Sequence, residues 1–369
     1  MRLVPIECVK ENSVLGKNIY SFDGRILLNS GCILTASYLK RIKALKIYSL
    51  YIVDDYSSME VNDVIKPELR QKSIRIIKET FCDIGRVASK HNFETKNYKE
   101  YSKKEQIYFD SIDKIADELI EDILSNKNVL LSLVDIKNMD SYTYAHCVNV
   151  AVVSLILGIS LNIPKIHLKY LCIGALIHDI GKTFIPCDVL QKPSKLTDEE
   201  YEIIKSHPKL GYDFISENFN FSSFTKSIVL QHHERFDGLG YPNHLEGEKI
   251  NYLARIVSIA DVYDALTSDR PYKRAMCPND VLEYLMSNSG TFFDPSIVEV
   301  FSKVIIPYPV GTLVSLSNGD IGVVKKTVPN FPLRPIIEVV KSDNKNNVGK
   351  VLNLIEKLSI VILNIEYSL

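Results

Sequence analysis

Residues 172–182 read Cys-Ile-Gly-Ala-Leu-Ile-His-Asp-Ile-Gly-Lys. An apolar run that ends on an adjacent imidazole and carboxylate, followed by a glycine and a lysine, is the stop of a buried helix with polar chemistry at its tip. Such a pair can share a metal ion. Upstream, His146 opens the stretch CVNVAVVSLILGIS (147–160), which is so apolar that it must be buried nearly all round, leaving its first turn as the polar mouth of a core. These two stretches make the centre of the chain a helical bundle.

Working outward, segments 111–124, 166–177, 198–207, 224–233 and 253–268 also carry helical spacing, and Thr197 with Glu200 forms a capping box that specifies one helix start. Residues 1 to about 60 mix short strand-like pieces (18–20 and 26–28) with turns at Asp23-Gly24 and Ser30-Gly31 and one helix, 36–45. In 67–88, Ile74, Ile77, Phe81, Ile84 and Val87 recur at steps of three and four, as ordinary packing or a dimer seam requires, and packing is the simpler reading. Residues 89–108 lose that period and gather Lys, Glu, Asn and Ser, the texture of a solvated connector. Beyond Pro309, alternation around Asn318-Gly319 marks a hairpin, and runs 336–340 and 358–365 complete a small β module. The expected class is mainly α. A small α+β module (1–62) and a helical and polar connector (63–130) precede an all-α domain (131–305), and a small β module (306–369) follows it.

At ~150 residues per domain, 369 residues make two or three domains. With 44 Lys plus Arg against 45 Asp plus Glu there is no global basic field for DNA or a membrane surface, so any phosphate binding is local. Seven scattered cysteines without a Cys-x-x-Cys pair suit free thiols in a reducing compartment. The N-terminal stretch lacks an apolar signal region, and the oily run 147–159 is shorter than the ~20 residues of a spanning helix. The expected location is cytoplasmic, without a membrane segment.

Five of the eight histidines, His146, His178, His207, His232 and His233, lie beside helix ends or acids. Asp261 sits in LARIVSIADVYDALTSD with Asp264 and Ser268 at i+3 and i+7 on the same face. Any one of these histidines alone would more often be a satisfied core residue. Together with Asp179 and Asp261 they offer too many donors for one tetrahedral zinc, and thiolate is absent from the set, so two ions of iron, manganese or zinc fit better, with Asp179 bridging. Two such ions ~4 Å apart hold a hydroxide between them and stabilise both oxygens of an in-line phosphoryl displacement. The chemistry indicated is hydrolysis of a phosphate ester. His91 and His167 keep the bland reading, and His244, in a glycine-rich loop beside no acid, is left open.

From about Asp140 to Val304 the chain resembles the HD-GYP branch of the HD-domain phosphohydrolases. The match runs through His146, Ala175–Lys182, Ile185-Pro186, Lys192-Pro193, His207-Pro208, Gly211, the series His232-His233-Glu234-Arg235-Phe236-Asp237-Gly238-Leu239-Gly240-Tyr241-Pro242, Asp261–Tyr272 and Phe293-Asp294-Pro295. The resemblance implies an HD-type bundle at 131–305 that hydrolyses cyclic di-GMP to pGpG, and in some members on to GMP, with divalent transition metals, iron foremost. It assigns His146, His178, Asp179, His207, His232, His233 and Asp261 as ligands, with His178, Asp179 and Lys182 at the reacting phosphate. Gly240, Tyr241, Pro242, Asp264, Arg270 and Lys273 become substrate contacts. Members with a third metal carry Glu four residues before the first histidine, where this chain has Tyr142, so two ions and pGpG are expected. A cyclic di-GMP-synthesising protein of GGDEF type is the signalling partner implied, and a homodimer is an option. The alternatives are a cyclic di-GMP receptor or protein-interaction module without turnover, another HD-type nucleotidase, a di-iron oxygenase, or a structural zinc scaffold.

Overall fold

The computed structural model describes residues 1–367 apart from 22–24, 46, 55–62, 89–102, 126–130, 133–141, 191, 193 and 269–274. The N-terminal unit contains β1 (Arg2–Pro5), β2 (Val14–Leu15), β3 (Ile19–Tyr20), β4 (Ile26–Leu28), α1 (Ala36–Ala44) and β5 (Ser49–Val53). Antiparallel pairing runs from Arg2 opposite Ile52 to Pro5 opposite Ser49, with β2 on the other side of β5, while β3 and β4 form a separate ribbon. Val4, Leu34, Ile42, Ile47 and Leu50 fill its own core. Sequence reading misses β1 and β5 for a physical reason: the first four residues of β5 are all buried, so it shows no alternation, and β1 ends on a proline.

Two helices ahead of residue 131 pack with the bundle. Helices α2 (Pro67–Ala88) and α3 (Lys103–Ser125) bury Ile77, Phe81 and Ile84, and Ile112, Ile115 and Leu119, in the same core as the helices that follow. Helices α2 and α3 thus share the bundle's core, and α3 starts within the polar stretch with Phe109, Ile112 and Ile115 buried. His91 lies outside the described residues. After β6 (Leu131–Ser132) come α4 (Tyr142–Ser160), α5 (Lys165–Ile177), a 3-10 turn (Ile180–Phe184), α6 (Cys187–Leu190), α7 (Asp198–Lys205), α8 (His207–Asn218), α9 (Ser223–Gln231), α10 (Tyr252–Thr267), α11 (Pro278–Ser287) and α12 (Pro295–Val304). The capping box at Thr197 is present, with both its hydrogen bonds made. Residues 143–160 of α4 are long and apolar enough to cross a membrane, yet they form the centre of the bundle, every residue from Cys147 to Leu157 being buried. A central helix surrounded by others shows no polar face, which is why composition alone cannot tell it from a span.

β7 (Ile305–Ile306) pairs in parallel with β6 and leads into a five-stranded antiparallel sheet. Its strands are β8 (Leu313–Leu316), β9 (Ile321–Lys326), β10 (Ile336–Lys341), β11 (Val351–Asn353) and β12 (Ile362–Glu366), in the order β11-β10-β9-β8-β12. Tyr308, Val314, Val324, Ile337 and Leu354 make its core. The turn between β8 and β9 takes Gly319 to φ +86°, a left-handed conformation that glycine adopts without penalty. β12 starts later than the apolar run suggests, since Leu358 is in a turn and exposed. The units are tied together: Lys17 pairs with Asp63 at 2.5 Å, and the Arg2 guanidinium donates to the Tyr367 carbonyl at 3.1 Å.

Candidate metal centre

Three histidines are set by one device. His178 caps α5, His207 opens α8 and His232 caps α9, and each places Nδ1 against a backbone carbonyl: Ala175 at 2.7 Å, Ile204 at 2.7 Å and Val229 at 3.0 Å. A carbonyl only accepts, so Nδ1 carries the proton and Nε2 is left as a lone-pair donor. His146, in the first turn of α4, is set by carboxylates instead, with Nδ1 at 2.6 Å from Asp264 and Nε2 at 3.0 Å from Asp261. The 3-10 turn that carries Lys182 presses on α8 at Gly181, where a Cβ would stand 1.9 Å from the His207 carbonyl oxygen, so only glycine fits.

These placements converge on Asp179. Its Oδ1 lies 3.4 Å from His207 Nε2 and 3.9 Å from His232 Nε2, and its Oδ2 lies 3.5 Å from His178 Nε2 and 2.6 Å from the Lys182 amine. Two donor groups result, Asp179 with His207, His232 and His233, and Asp179 with His146 and His178, the donor atoms of each lying within 4.8 Å of one another. Asp261 stands between them, 3.0 Å from His146 and 3.8 Å from His233. His178 Nε2 and Asp179 Oδ1 are buried without a hydrogen-bond partner. The Nε2 atoms of His207 and His232 face each other at 3.3 Å with their Nδ1 protons already committed. Orphaned acceptors and opposed lone pairs in a buried pocket are costly by themselves and are satisfied by a cation, so the residues fit a divalent metal.

The electrostatics agree. Burial lowers His178 and takes His232 well below its ordinary value, while burial and the neighbouring His207 ring push His233 down to about 3. Burial would raise Asp179, but Lys182 and His178 more than offset it and hold the carboxyl well below its usual range. Burial likewise opposes the Asp261 carboxylate, and the hydrogen bond from His146 outweighs it. For His146 burial acts downward, yet its bonds to Asp261 and Asp264 hold it up at about 10. At neutral pH His178, His232 and His233 are therefore neutral and both carboxylates charged, the protonation states that bind metal.

The loop after α9 covers this centre. The Tyr241 ring stacks on His233 with centroids 4.8 Å apart, and its backbone N–H donates to the His233 carbonyl at 3.1 Å. Buried Glu234 accepts from the backbone N–H groups of Asn243 and Leu245 and so fastens the far side of the loop. Gly240 lies against the Glu234–Arg235 backbone, where a Cβ would meet Arg235 N at 2.2 Å, and Pro242 follows Tyr241 through a cis peptide bond. Asp264, expected among the substrate contacts, is fully buried and sits behind His146, which removes it from substrate reach. Arg270 and Lys273 lie outside the described residues. His244 is exposed and outside both donor groups, and His167 packs on Phe224 at 4.8 Å. Sequence reading gave no role to Glu234, although it directly follows the paired histidines, nor to Asn149, whose only signal is a polar side chain within the most apolar helix.

Comparison with known proteins decides the family. The HD domain model matches residues 118–297, and the model of a KOW domain associated with the HD domain matches 313–366, the C-terminal sheet. A cyclic di-GMP phosphodiesterase of Thermotoga maritima is 30% identical over 270 residues, covering 69% of this chain and 71% of that protein. The chain belongs to the HD-GYP family of HD-domain phosphohydrolases. Cyclic di-GMP phosphodiesterase PA4108 of Pseudomonas aeruginosa is 39% identical over 225 residues, 61% of this HD-GYP chain and 54% of that protein. The chain spans about half the length of several curated relatives that it matches. Bd1817, a HDG"Y"P protein from Bdellovibrio bacteriovorus, shares the fold, with a TM-score of 0.52 over 81% of this chain and 97% of that one at 20% identity.

Proposed function

We propose that this chain is a metal-dependent phosphodiesterase that opens cyclic di-GMP to pGpG. The observation that carries the reading is the pair of donor groups sharing Asp179, in which His178 Nε2 and Asp179 Oδ1 are buried without a hydrogen bond. His146, His178 and Asp179 would hold one ion and Asp179, His207, His232 and His233 the other, with Asp261 between them. When bound, the ions supply an activated water and charge neutralisation at phosphorus. Around them, the chain's own groups do the positioning. Lys182, partly exposed and hydrogen-bonded to Asp179, presents a cation to a phosphate oxygen. Tyr241, fixed against His233 on one side, offers a ring face and hydroxyl to a guanine or phosphate, while the loop fastened by Glu234 keeps water from the far side. Arg270 and Lys273 are proposed to pair with the substrate phosphates.

The names of the curated relatives support the substrate, and Tyr142 at the Glu position of three-metal members supports two ions and pGpG as product. Iron is the first choice of metal, with manganese and zinc next, since imidazole and carboxylate serve all three. A reducing cytoplasm, a GGDEF-type signalling partner and a homodimer complete the proposal. Protein purified anaerobically is expected to hold about two transition-metal ions per chain and to convert cyclic di-GMP to pGpG. Full turnover after complete chelation would overturn the proposal. Tight binding of the dinucleotide with both ions present and no product would favour the receptor reading instead.

A further inference from the structure

A chain of polar contacts leaves the metal centre on its buried side. Asp264, fully buried, holds His146 Nδ1 with one oxygen at 2.6 Å and accepts from the Asn149 amide with the other at 3.0 Å. Asn149, one turn along α4 from His146, turns its amide oxygen to the Arg70 guanidinium at 2.7 Å. Arg70 belongs to α2, which precedes the stretch matched by the HD domain model. A second contact joins the same helix to the site: Gly85 faces Thr183, the residue after Lys182, with 3.9 Å from its would-be Cβ to the Thr183 Cβ.

We infer that Arg70 is a positioning residue of the metal centre, acting through Asn149 and Asp264 on the His146 side of the pair. The inference rests on the two-ion reading above. An amide can present either end to a neighbour, and only the orientation with nitrogen toward Asp264 gives that carboxylate a donor rather than a second acceptor. The Arg70 guanidinium, which has no acceptor atom, selects it by demanding an oxygen. Asp264 then keeps one oxygen for His146 Nδ1–H, which fixes the ring with Nε2 turned to Asp261, where a cation would take the place of the Nε2 proton, the arrangement in which a carboxylate orients a metal-bound histidine. Without Arg70, the Asn149 oxygen loses this donor, and one of the two contacts that hold the amide in that orientation goes, leaving Asp264 to hold it alone. Accessory helix α2 is thereby part of the machinery that sets how tightly the HD bundle holds one of its ions.

The test is titration of full-length protein with Mn(II) after chelation, with bound metal counted by electron paramagnetic resonance and thermal stability recorded alongside. The unaltered protein is expected to bind two ions. Arg70→Ala is expected to retain the tighter ion and bind the other roughly 10–100-fold more weakly, the usual cost of losing an outer partner of a ligand. Asn149→Ala should show the same selective loss, and Arg70→Lys, which keeps a donor, a smaller one. Wild-type affinity for both ions in Arg70→Ala overturns the inference while leaving the two-ion reading intact. An equal loss at both ions in step with a fall in Tm, in both Arg70→Ala and Arg70→Lys, also overturns it, because that is the signature of general destabilisation. Failure of the unaltered protein to take up a second ion overturns the two-ion reading itself, and the inference with it.

Discussion

At the scale of single residues, Asp179 is the least replaceable donor, because both groups use it. Asp179→Ala is expected to lose both ions, a larger effect than the roughly 10–100-fold typical of outer partners, and elemental analysis of the purified variant checks it. Proton competition gives a second expectation with a definite sign. His178, His232 and His233 have folded-state values below the ordinary 6.5, so the unfolded chain binds their protons first as pH falls. The stability they contribute is complete above about 6.5 and is lost as pH drops toward the value of about 3 held by His233. His146 acts oppositely: its contribution is complete below 6.5 and disappears as pH rises through about 10. Melting curves with chelator present should therefore show Tm falling on the acid side from near neutrality. A Tm unchanged between pH 7 and 4 would contradict the neutral-histidine assignment. Most of this chemistry could be read in the chain, since each histidine announces itself by its place at a helix end. The supporting contacts could not: Asp264 lies on the face of α10 that carries Asp261, and only the fold shows that it turns inward to His146.

At the scale of elements, the capped α7 and the loop after α9 carry the clearest consequences. Thr197→Ala removes the hydroxyl that accepts from the Glu200 backbone N–H, while the reciprocal bond from its own backbone N–H to Glu200 remains, and should cost about 1 kcal/mol, read as a shift in Tm. Gly240→Ala drives a methyl group into the Glu234–Arg235 backbone and should cost about 1–3 kcal/mol or more, displacing Tyr241 from His233. The proposed activity on cyclic di-GMP should fall more than metal content does, since His233, at the start of that loop, is the one assigned ligand that it carries. Periodicity located the long helices because their apolar residues face one way, as Ile77, Phe81 and Ile84 do. It failed at β5, whose nearly fully buried run lacks any period, at β1, which is four residues long and ends on a proline, and at the start of α3, where polar residues continue the helix without a stop signal.

At the scale of the whole molecule, the metal centre lies at the meeting of α4, α5, α8, α9 and α10, so loading it should stabilise the bundle as a unit. An ion present at a hundred times its Kd adds about 2.7 kcal/mol to the folded state. Differential scanning calorimetry should show Tm rising with added Mn(II) and returning on chelation, with Asp179→Ala insensitive to both. The division into domains was only partly legible. The change to β texture beyond Pro309 is visible because alternation replaces helical spacing, whereas α2 and α3 share one core with α4 and α5 through contacts distant in sequence.

The shared carboxylate sets an order of filling. On the proposed two-ion reading, two dications would divide a single negative charge at Asp179 and repel each other across it, so the first to arrive would weaken the hold on its neighbour. Saturation should then proceed in two unequal steps, and at scarce metal the protein would accumulate with one ion in place, unable to work until supply improves.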